Sequence, residues 1–408
     1  MSKLEKREAE CRKHMKESTQ IEQVATPVLS FPPNKNFPCM ANVLDVQSNE
    51  EYGKYIVTKR DIEIGEIVMV EEGYVFDISS SEETSCITCL QSQKNLIPCD
   101  NCTDVMFCDH QCMETNENHK IGCGASYNRL HVCRMVIDSI LKAVNAFANA
   151  NDLNKFVECA LATREFDSPT CNSREQKEYR SFLKLLAITE TLDSVMAMNM
   201  VATQYHILSR LSAVKKLFDS EEKQRFLMHL ILQHYSIIKR NSLGIHSESN
   251  IENQSNVIEI MPIHFSLFNH SCSPNIKYVK IGNKLVAFTV LPVKKGDQLF
   301  IQYIKELDNL ETKERRDILR ETFQFECKCS KCLPCVKVQD SLRMQLDPDF
   351  LFIHASRQTH FLDPEKRLIL KDKAKRFLKR YNQFKWSDEI EWVSDGFSNC
   401  VKKDLGSN

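Results

Sequence analysis

The sequence predicts an α+β protein in which one β-fold is split by two inserts, and three observations lead to this prediction. Short β-branched runs begin at Tyr55 and return after Asn250, which is typical of strands. Between them lies a dense cluster of cysteines, followed from about residue 129 by apolar residues that recur with a helical period. At ~150 residues per domain, the chain length allows two to three domains, which a sheet with two inserts would fill.

Composition and charge exclude several classes of protein. With 42% hydrophobic residues, 27% charged residues, 10 glycines and 12 prolines, the chain is neither collagen-like, low in complexity nor wholly disordered. Its 54 basic and 55 acidic residues give no long-range positive field for general nucleic-acid binding. No run of ~18 apolar residues occurs, and the N-terminus alternates charges where a signal peptide would be apolar. We therefore expect a soluble, cytoplasmic and nuclear monomer without a membrane or a nucleic acid as direct partner.

The first elements are a lead-in and three strands. Residues 1–36 are predicted to be polar and partly helical, and they end at the breaker FPPNKN. Strands are predicted at 55–58, 67–72 and 74–76, with a turn at Gly65.

The cysteine cluster between residues 86 and 123 is the most informative feature. Cysteine makes up 18 of 408 residues, below the ~8–10% of a disulfide scaffold, but eight residues follow the spacing C-x2-C-x9-C-x2-C-x5-C-x3-C-x6-H-x3-C. Such spacings let pairs of thiolates converge on one tetrahedral ion, so we predict two closed structural zinc sites whose metal supplies most of the folding free energy. Acidic residues outnumber lysines in this segment, which argues against phosphate contacts. The eight residues are Cys86, Cys89, Cys99, Cys102, Cys108, Cys112, His119 and Cys123.

Residues 128–240 are predicted to be a helical insert. Three apolar stripes at helical spacing are expected to form its core, and the histidines His206, His229 and His234 are expected to be packed or on the surface. The stripes comprise Met135, Val136, Ile140, Leu141, Val144 and Phe147; Leu208, Leu211, Val214 and Phe218; and Phe226, Leu227, Leu230, Ile231 and Ile238.

Strands return in the last part of the β-fold, and a helix follows. A hairpin is predicted around the two-residue turn Gly282–Asn283, with a further strand at 299–304. A helix is predicted from Pro364 to Tyr381, with its lysines and arginines on a solvated face. Its predicted apolar side consists of Leu368, Ile369, Phe377, Leu378 and Tyr381.

Three short motifs carry a resemblance to a known family. Tyr52-Gly53-Lys54 precedes the first strand, an N-H-S-C-S-P-N motif starts at Asn269, and Tyr303 is followed by an F-E-C-K-C-S-K-C segment that starts at Phe325. These motifs resemble a SET domain, and the ligand order of the cysteine cluster resembles a MYND zinc finger. Over roughly residues 40–335 the chain is similar to the SET-and-MYND-domain (SMYD) family of protein-lysine methyltransferases, as a divergent, arthropod-like member.

The resemblance implies an organisation of the chain and a set of roles. It implies a split SET domain at 40–304, a MYND finger at 86–123, the helical insert at 128–240, a post-SET zinc segment at 305–335 and a short C-terminal helical lobe at 336–408. It implies S-adenosyl-L-methionine as cofactor, bound by Gly53, Lys54, Asn269, His270, Tyr303 and Phe325, with Tyr303 as the catalytic residue. It also implies that the finger binds proline-containing partner peptides.

Three zinc ions are implied by the same resemblance. Two lie in the finger, one held by Cys86, Cys89, Cys108 and Cys112 and the other by Cys99, Cys102, His119 and Cys123. The third is held by Cys272, Cys327, Cys329 and Cys332. Because Cys335 also lies at ligand spacing from Cys332, it competes with Cys272 for the third ion.

The function implied is N-methylation of lysine in histone or non-histone proteins. The sulfonium of the cofactor is already an activated leaving group, so the protein has to align a neutral amine in a channel of low polarity. Two departures from the family keep alternatives open. Tyr55 stands where a second glycine is usual, and its side chain either crowds the cofactor pocket or points outward. The short C-terminal lobe is expected to leave the substrate cleft more open.

The alternatives belong to other functional classes. One is a catalytically weak or inactive SET protein that acts through its finger as an interaction adaptor or transcriptional corepressor. The other is a zinc-dependent DNA-binding regulator, which the acidic finger disfavours.

Overall fold

A computed structural model gives the fold of most of the chain. It describes residues 27–79, 85–91, 95–127, 132–162, 171–187, 195–248, 255–333, 338–356, 363–384 and 386–406. Most of the predicted lead-in and Cys335 lie outside the described residues.

Twelve strands are found in the described residues, grouped in five small sheets. Strand β3 pairs with β11, and β4 pairs with β8, so strands from before the inserts join strands from after them. This pairing confirms the predicted α+β class with a split β-fold. The strands are β1 (Leu44–Asn49), β2 (Gly53–Thr58), β3 (Ile67–Glu72), β4 (Val75–Ser79), β5 (Ile97–Pro98), β6 (Met106–Phe107), β7 (Leu243–Glu248), β8 (Ser255–Met261), β9 (Asn269–His270), β10 (Ile276–Ile281), β11 (Lys284–Thr289) and β12 (Phe300–Ile301).

The helices lie in the finger, the insert and the C-terminal region. Side-chain caps mark many of their starts: Asp109, Ser173 and Ser220 each accept a hydrogen bond from the first turn of the helix that follows. The helices are α1 (His110–Thr115), α2 (Glu117–Gly122), α3 (Val132–Ala146), α4 (Ala150–Ala162), α5 (Arg174–Leu183), α6 (Val195–Leu208), α7 (Ser212–Leu217), α8 (Glu221–Asn241), α9 (Thr312–Phe323), α10 (Val338–Gln345), α11 (Pro348–Ser356), α12 (Pro364–Arg380) and α13 (Asp388–Asp404).

The helical insert has its own core, as its periodicity predicts. Residues of all three predicted stripes are buried there, including Met135, Leu208 and Leu230. His234 is fully buried, and its ring nitrogens lie 2.8 Å from the Ser139 hydroxyl and 2.9 Å from the Tyr179 hydroxyl. This histidine is therefore a satisfied core residue, whereas His206 and His229 are exposed.

The C-terminal helices pack on the outer face of the β10–β11 hairpin. Phe377 and Phe397 share a core with Val286 and Phe288. The predicted apolar side of α12 is partly wrong, because Leu368 and Ile369 are 64% and 49% exposed. The buried face instead follows the i, i+4, i+7, i+8 spacing of Leu370, Ala374, Phe377 and Leu378.

The basic residues of α12 form ion pairs with acidic neighbours. Arg376 and Arg380 pair with Asp349 at the start of α11, and Arg367 pairs with Asp404 at the end of α13. The basic residues predicted to face solvent thus also form ion pairs that link α12 to α11 and α13. Within the described ranges, none of the helices combines the length and apolarity that crossing a bilayer requires.

Candidate active site and thiol clusters

The candidate active site begins where two short strands run side by side. Strands β9 and β12 pair in parallel, with Asn269 opposite Phe300 and His270 opposite Ile301. The chain leaving β12 then places Tyr303 beside His270, and the Tyr303 backbone N–H donates a hydrogen bond to His270 Nδ1 at 3.1 Å. The pairing explains how residues more than thirty positions apart meet at one point.

The Tyr303 side chain lies in an aromatic environment. Its hydroxyl donates to the Phe268 carbonyl at 2.9 Å, and its ring centroid lies 5.0 Å from that of Phe323 and 6.5 Å from that of Phe325. Burial raises the pKa of Tyr303 above its ordinary value near 10, although the Arg240 charge opposes the shift. The phenol is therefore protonated at neutral pH and acts as a hydrogen-bond donor rather than as a base.

Arg240 holds Phe323 against Tyr303. Its guanidinium donates to the carbonyls of Thr322 and Phe323, the last residues of α9, and lies 5.7 Å from the centroid of the Phe323 ring. Arg240 is at the end of α8 in the helical insert, so the insert reaches the candidate active site through this contact. Carbonyls at a helix C-terminus lack intrahelical partners, and a cation satisfies them well.

One cavity of about 1400 Å³ joins these residues. All six predicted cofactor-binding residues line it: Gly53, Lys54, Asn269, His270, Tyr303 and Phe325. The Asn269 side-chain amide donates to the Tyr52 carbonyl at 3.2 Å and so ties β9 to the start of β2.

Lys54 faces a loop of the helical insert from inside this cavity. Its ammonium donates to the Lys184 carbonyl at 3.3 Å. Burial, and then the nearby charge of Lys184, lowers the pKa of Lys54 to about 8. The segment 52–54 is therefore held by hydrogen bonds from two sides, with Asn269 on one side and the helical insert on the other.

Tyr55 lies on β2 opposite Gln47 of β1 and is not among the residues that line the cavity. Its hydroxyl is 3.4 Å from the Gln47 side-chain oxygen and accepts a hydrogen bond from the Asn49 amide at 3.3 Å. The Tyr55 side chain thus forms hydrogen bonds with residues of β1.

The C-terminal region closes one side of the cavity. Tyr381, Phe384 and Ile390, from the end of α12 to the start of α13, contribute to its wall. The C-terminal region therefore supplies part of the cleft wall, and the more open cleft expected from the sequence stays a prediction.

Three sets of four thiol or imidazole ligands converge in the described residues, and they match the predicted sets. Within each set the ligand atoms all lie within 4.8 Å of one another. Cys89 and Cys108 sulfurs are 3.4 Å apart in the first set, and Cys272 and Cys332 sulfurs are 3.7 Å apart in the third. Zn–S bonds near 2.3 Å require tetrahedral edges of ~3.7 Å, so the donor type and spacing fit zinc.

The three sets are distributed over the finger and the post-SET segment. The first consists of Cys86, Cys89, Cys108 and Cys112, the second of Cys99, Cys102, His119 and Cys123, and the third of Cys272, Cys327, Cys329 and Cys332. In the second set His119 Nε2 lies 3.3 Å from the Cys99 sulfur. Cys272 thus completes a set of four without Cys335.

A further grouping of Cys39, Glu71 and His264 lies beneath the site. The buried Glu71 carboxylate accepts backbone N–H bonds from Ile263, His264 and Phe265, and a fourth hydrogen bond at 2.8 Å from His264 Nδ1. Because N–H donors surround this carboxylate, it stabilises the local backbone through hydrogen bonds and is poorly suited to bind a cation. It fixes the turn that leads into Asn269 and His270.

Comparison with known families identifies the fold. Residues 53–304, more than half of the 408-residue chain, match the SET domain. The chain belongs to the SET-domain family. The matched span begins at β2 and ends just after Tyr303, so it covers both inserts and five of the six cofactor-binding residues predicted.

Several relatives of this SET-domain protein are named as SET and MYND domain-containing proteins or as lysine methyltransferases. A SET and MYND domain-containing protein of Dictyostelium discoideum is 25% identical over 331 residues, which span 71% of this chain and 82% of the relative. The N-lysine methyltransferase SMYD2 of Gallus gallus is 21% identical over 295 residues, 72% of this chain and 60% of the relative. These likenesses confirm the predicted resemblance to the SMYD family.

Among solved structures, the SET domain of LSMT bound to lysine and AdoHcy overlaps 89% of this chain and 85% of its own. With 13% identity and a TM-score of 0.29, that overlap bears on neither the fold nor the function of this SET-domain protein.

Sequence reasoning missed several residues of the SET-domain site. Phe323 and Arg240 shape the surroundings of Tyr303, and Glu71 braces the turn before β9. A phenylalanine two positions before Phe325 was a visible signal. The positions of Arg240 and Glu71 depend on tertiary packing, for which the sequence holds no local signal.

Proposed function

We propose that this protein is an S-adenosyl-L-methionine-dependent protein-lysine N-methyltransferase. The observation that carries the proposal is the meeting of Asn269, His270 and Tyr303 with an aromatic wall on one large cavity. A cavity of this size exceeds the ~300–1,000 Å³ of an ordinary small-molecule pocket, so it has room for a cofactor and an inserted side chain.

The residues present fit the cofactor. Gly53 has a backbone φ of +61°, and a Cβ at that position would meet nothing within 4 Å, so backbone and ligand can approach closely there. Asn269 and Lys54 supply polar groups, and Phe325 supplies an apolar wall. The cofactor, when bound, supplies a methyl group on a sulfonium leaving group.

The chain's own residues prepare the amine. The rings of Tyr303, Phe323 and Phe325 form a wall of low polarity that disfavours the ammonium form of an inserted lysine. The Tyr303 hydroxyl, held on the Phe268 carbonyl, and that carbonyl itself orient the neutral amine toward the methyl group. Positioning thus accounts for the catalysis, since no charged base is required.

The test is methyl transfer to a protein substrate with labelled cofactor, comparing the wild type with Tyr303→Phe. We expect Tyr303→Phe to lose at least ~100-fold in methyl-transfer rate, as removal of one preorganised hydrogen-bonding group does in other enzymes, while cofactor affinity changes little. Tyr278→Phe is the matched control, because Tyr278 packs on Phe265 in the same fold and does not line the cavity. Equal activity of the two variants would contradict the assignment of Tyr303.

Three zinc ions are part of this proposal, two in the finger and one in the post-SET segment. Their support is the convergence of twelve ligands in three sets with zinc-like spacing. Each closed set would stabilise its segment, and the third would tie residues 327–332 to Cys272 beside the cavity.

Partners and location stay predictions from the sequence. They comprise a substrate lysine in a histone or non-histone protein, proline-containing peptides on the finger, a monomeric state and residence in cytoplasm and nucleus. The adaptor alternative, which rests on Tyr55, also stays a prediction from the sequence.

A further inference from the structure

Both ring nitrogens of His270 are engaged by the protein. Nδ1 lies 3.1 Å from the Tyr303 backbone nitrogen, and Nε2 lies 3.3 Å from the Cys272 sulfur. The side chain is buried, with 7% of its surface exposed, and its ring contacts those of Tyr303 and Phe325. The imidazole therefore sits between the candidate catalytic tyrosine and the third thiol cluster.

The direction of the two hydrogen bonds follows from the donor that is fixed. A backbone N–H can only donate, so Nδ1 of His270 accepts from Tyr303 and carries no proton. The ring proton is then on Nε2 and points at the Cys272 sulfur. In the metal-bound state that sulfur is a thiolate, which accepts such a hydrogen bond well.

A second donor reaches the same cluster from the other side. Arg315, 4% exposed, donates to the Cys332 sulfur at 3.6 Å and also to the Lys331 and Leu310 carbonyls. Four thiolates on one divalent ion leave a net charge of −2, which donors around the sulfurs offset. His270 and Arg315 together supply donors to two of the four sulfurs.

We infer that His270 is a positioning residue that links the post-SET metal site to Tyr303, through an Nε2–H bond to Cys272 and an Nδ1 bond to the Tyr303 backbone. The part that concerns Tyr303 rests on the proposed function. The part that concerns the metal does not, and it assigns the His270 side chain a task other than the cofactor contact expected from the sequence.

The first test measures zinc retention rather than activity. His270→Phe keeps a ring but loses both hydrogen bonds. We expect this variant to bind one of its three zinc ions ~10–100-fold more weakly in competition with a chelator, as with other substitutions next to metal ligands. The two finger ions should be released as in the wild type. His270→Gln, which retains a donor, should restore part of the affinity. Unchanged retention of all three ions in His270→Phe would overturn the inference.

A second test reads the tautomer in the unaltered protein and uses a variant only to assign the His270 signals. Long-range ¹H–¹⁵N correlation of ¹⁵N-histidine-labelled, zinc-loaded protein reports the tautomer of each histidine, and the His270 signals are assigned from their loss in His270→Gln. We expect the Nε2–H tautomer for His270. An Nδ1–H tautomer would overturn the inference, and neither test requires methyl transfer, so failure of the proposed function stays distinguishable from failure here.

Discussion

At the scale of single residues, the site depends on how neighbours hold Tyr303. Its backbone is bonded to His270, its hydroxyl to the Phe268 carbonyl, and its ring packs on Phe323. The first two partners lie at or next to β9, and Phe323 is the last residue of α9. A change in a residue that supports one of these contacts should therefore alter catalysis.

Arg240 provides such a case. Arg240→Met keeps an apolar stem but removes the donors to the last carbonyls of α9, so we expect the free energy of unfolding to fall by ~2 kcal/mol. Methyl transfer should fall further than cofactor affinity, because Phe323 loses its support against Tyr303. Urea unfolding and turnover measure the two effects.

The control is Arg320→Met on α9, the helix whose last carbonyls Arg240 binds. Arg320 is exposed and pairs with Asp317 at the surface, so its loss should change stability by less than ~0.5 kcal/mol. If both variants behave alike in stability and turnover, Arg240 has no special role.

The Glu71–His264 pair predicts a pH dependence of stability. Burial lowers the pKa of His264, but the Glu71 carboxylate raises it more, and the net pKa lies above the ordinary value of 6.5. The stabilisation is therefore fully present below pH 6.5 and is lost as the pH rises through the raised folded-state pKa. In Glu71→Gln this loss between pH 6 and pH 8 should be smaller, as measured by urea unfolding.

Glu72→Gln serves as the comparison for Glu71→Gln. Glu72 is the next residue of β3, is exposed, and pairs with Lys284 at 3.6 Å. It should leave the pH profile of stability as in the wild type. A wild-type profile shared by Glu71→Gln would refute the assignment of the pair.

At the scale of elements, the finger is docked on the β-fold. Leu90, 2% exposed, belongs to the core that holds Phe265 and Phe268 beneath the site. The Cys89 carbonyl packs against Gly282 of the β10–β11 turn. A Cβ at position 282 would lie only 2.9 Å from this carbonyl oxygen, so a glycine is required. The first metal set and the hairpin are therefore in direct contact.

Gly282→Ala should disturb both partners of this contact. Gly282 has a φ of +57°, so alanine adds backbone strain as well as a clash with the Cys89 carbonyl. We expect the free energy of unfolding to fall by ~2–4 kcal/mol. Release of finger zinc to a chelator should also accelerate. Thermal unfolding and chelator titration measure the two effects.

Gly296→Ala isolates the backbone contribution in that experiment. Gly296 also has a positive φ, +87°, but a Cβ there meets nothing within 4 Å. We expect a loss of ~1 kcal/mol and unchanged zinc release. Equal effects at both glycines would show that the finger does not rest on the hairpin.

Local patterns in the sequence predicted much at these two scales. The inserts, the Gly282–Asn283 turn and the ligand sets are visible because spacing and periodicity are local properties. Strand pairing joins residues that are far apart in the sequence, so only the structure shows that β3 pairs with β11. The apolar side of α12 was partly misassigned because three apolar residues follow one another at 368–370. Only packing in the fold determines that Leu370 is buried while Leu368 and Ile369 are exposed.

At the scale of the whole molecule, the post-SET segment is fastened to the C-terminal lobe. Lys331, between the thiols Cys329 and Cys332, pairs with Glu391 of α13 at 2.7 Å, and the Trp386 indole N–H donates to the same carboxylate at 2.9 Å. The lobe also lines the cavity through Tyr381 and Phe384. Finger, insert, post-SET segment and lobe thus all bear on one site.

We propose that these parts together form a cofactor pocket and that three zinc ions stabilise it. The most direct measurement is a calorimetric isotherm for S-adenosyl-L-methionine, with a metal count on the same sample. We predict three zinc ions per chain and micromolar affinity, which corresponds to about 8 kcal/mol of binding free energy. A sample with its three zinc ions and no detectable cofactor binding would contradict the claim.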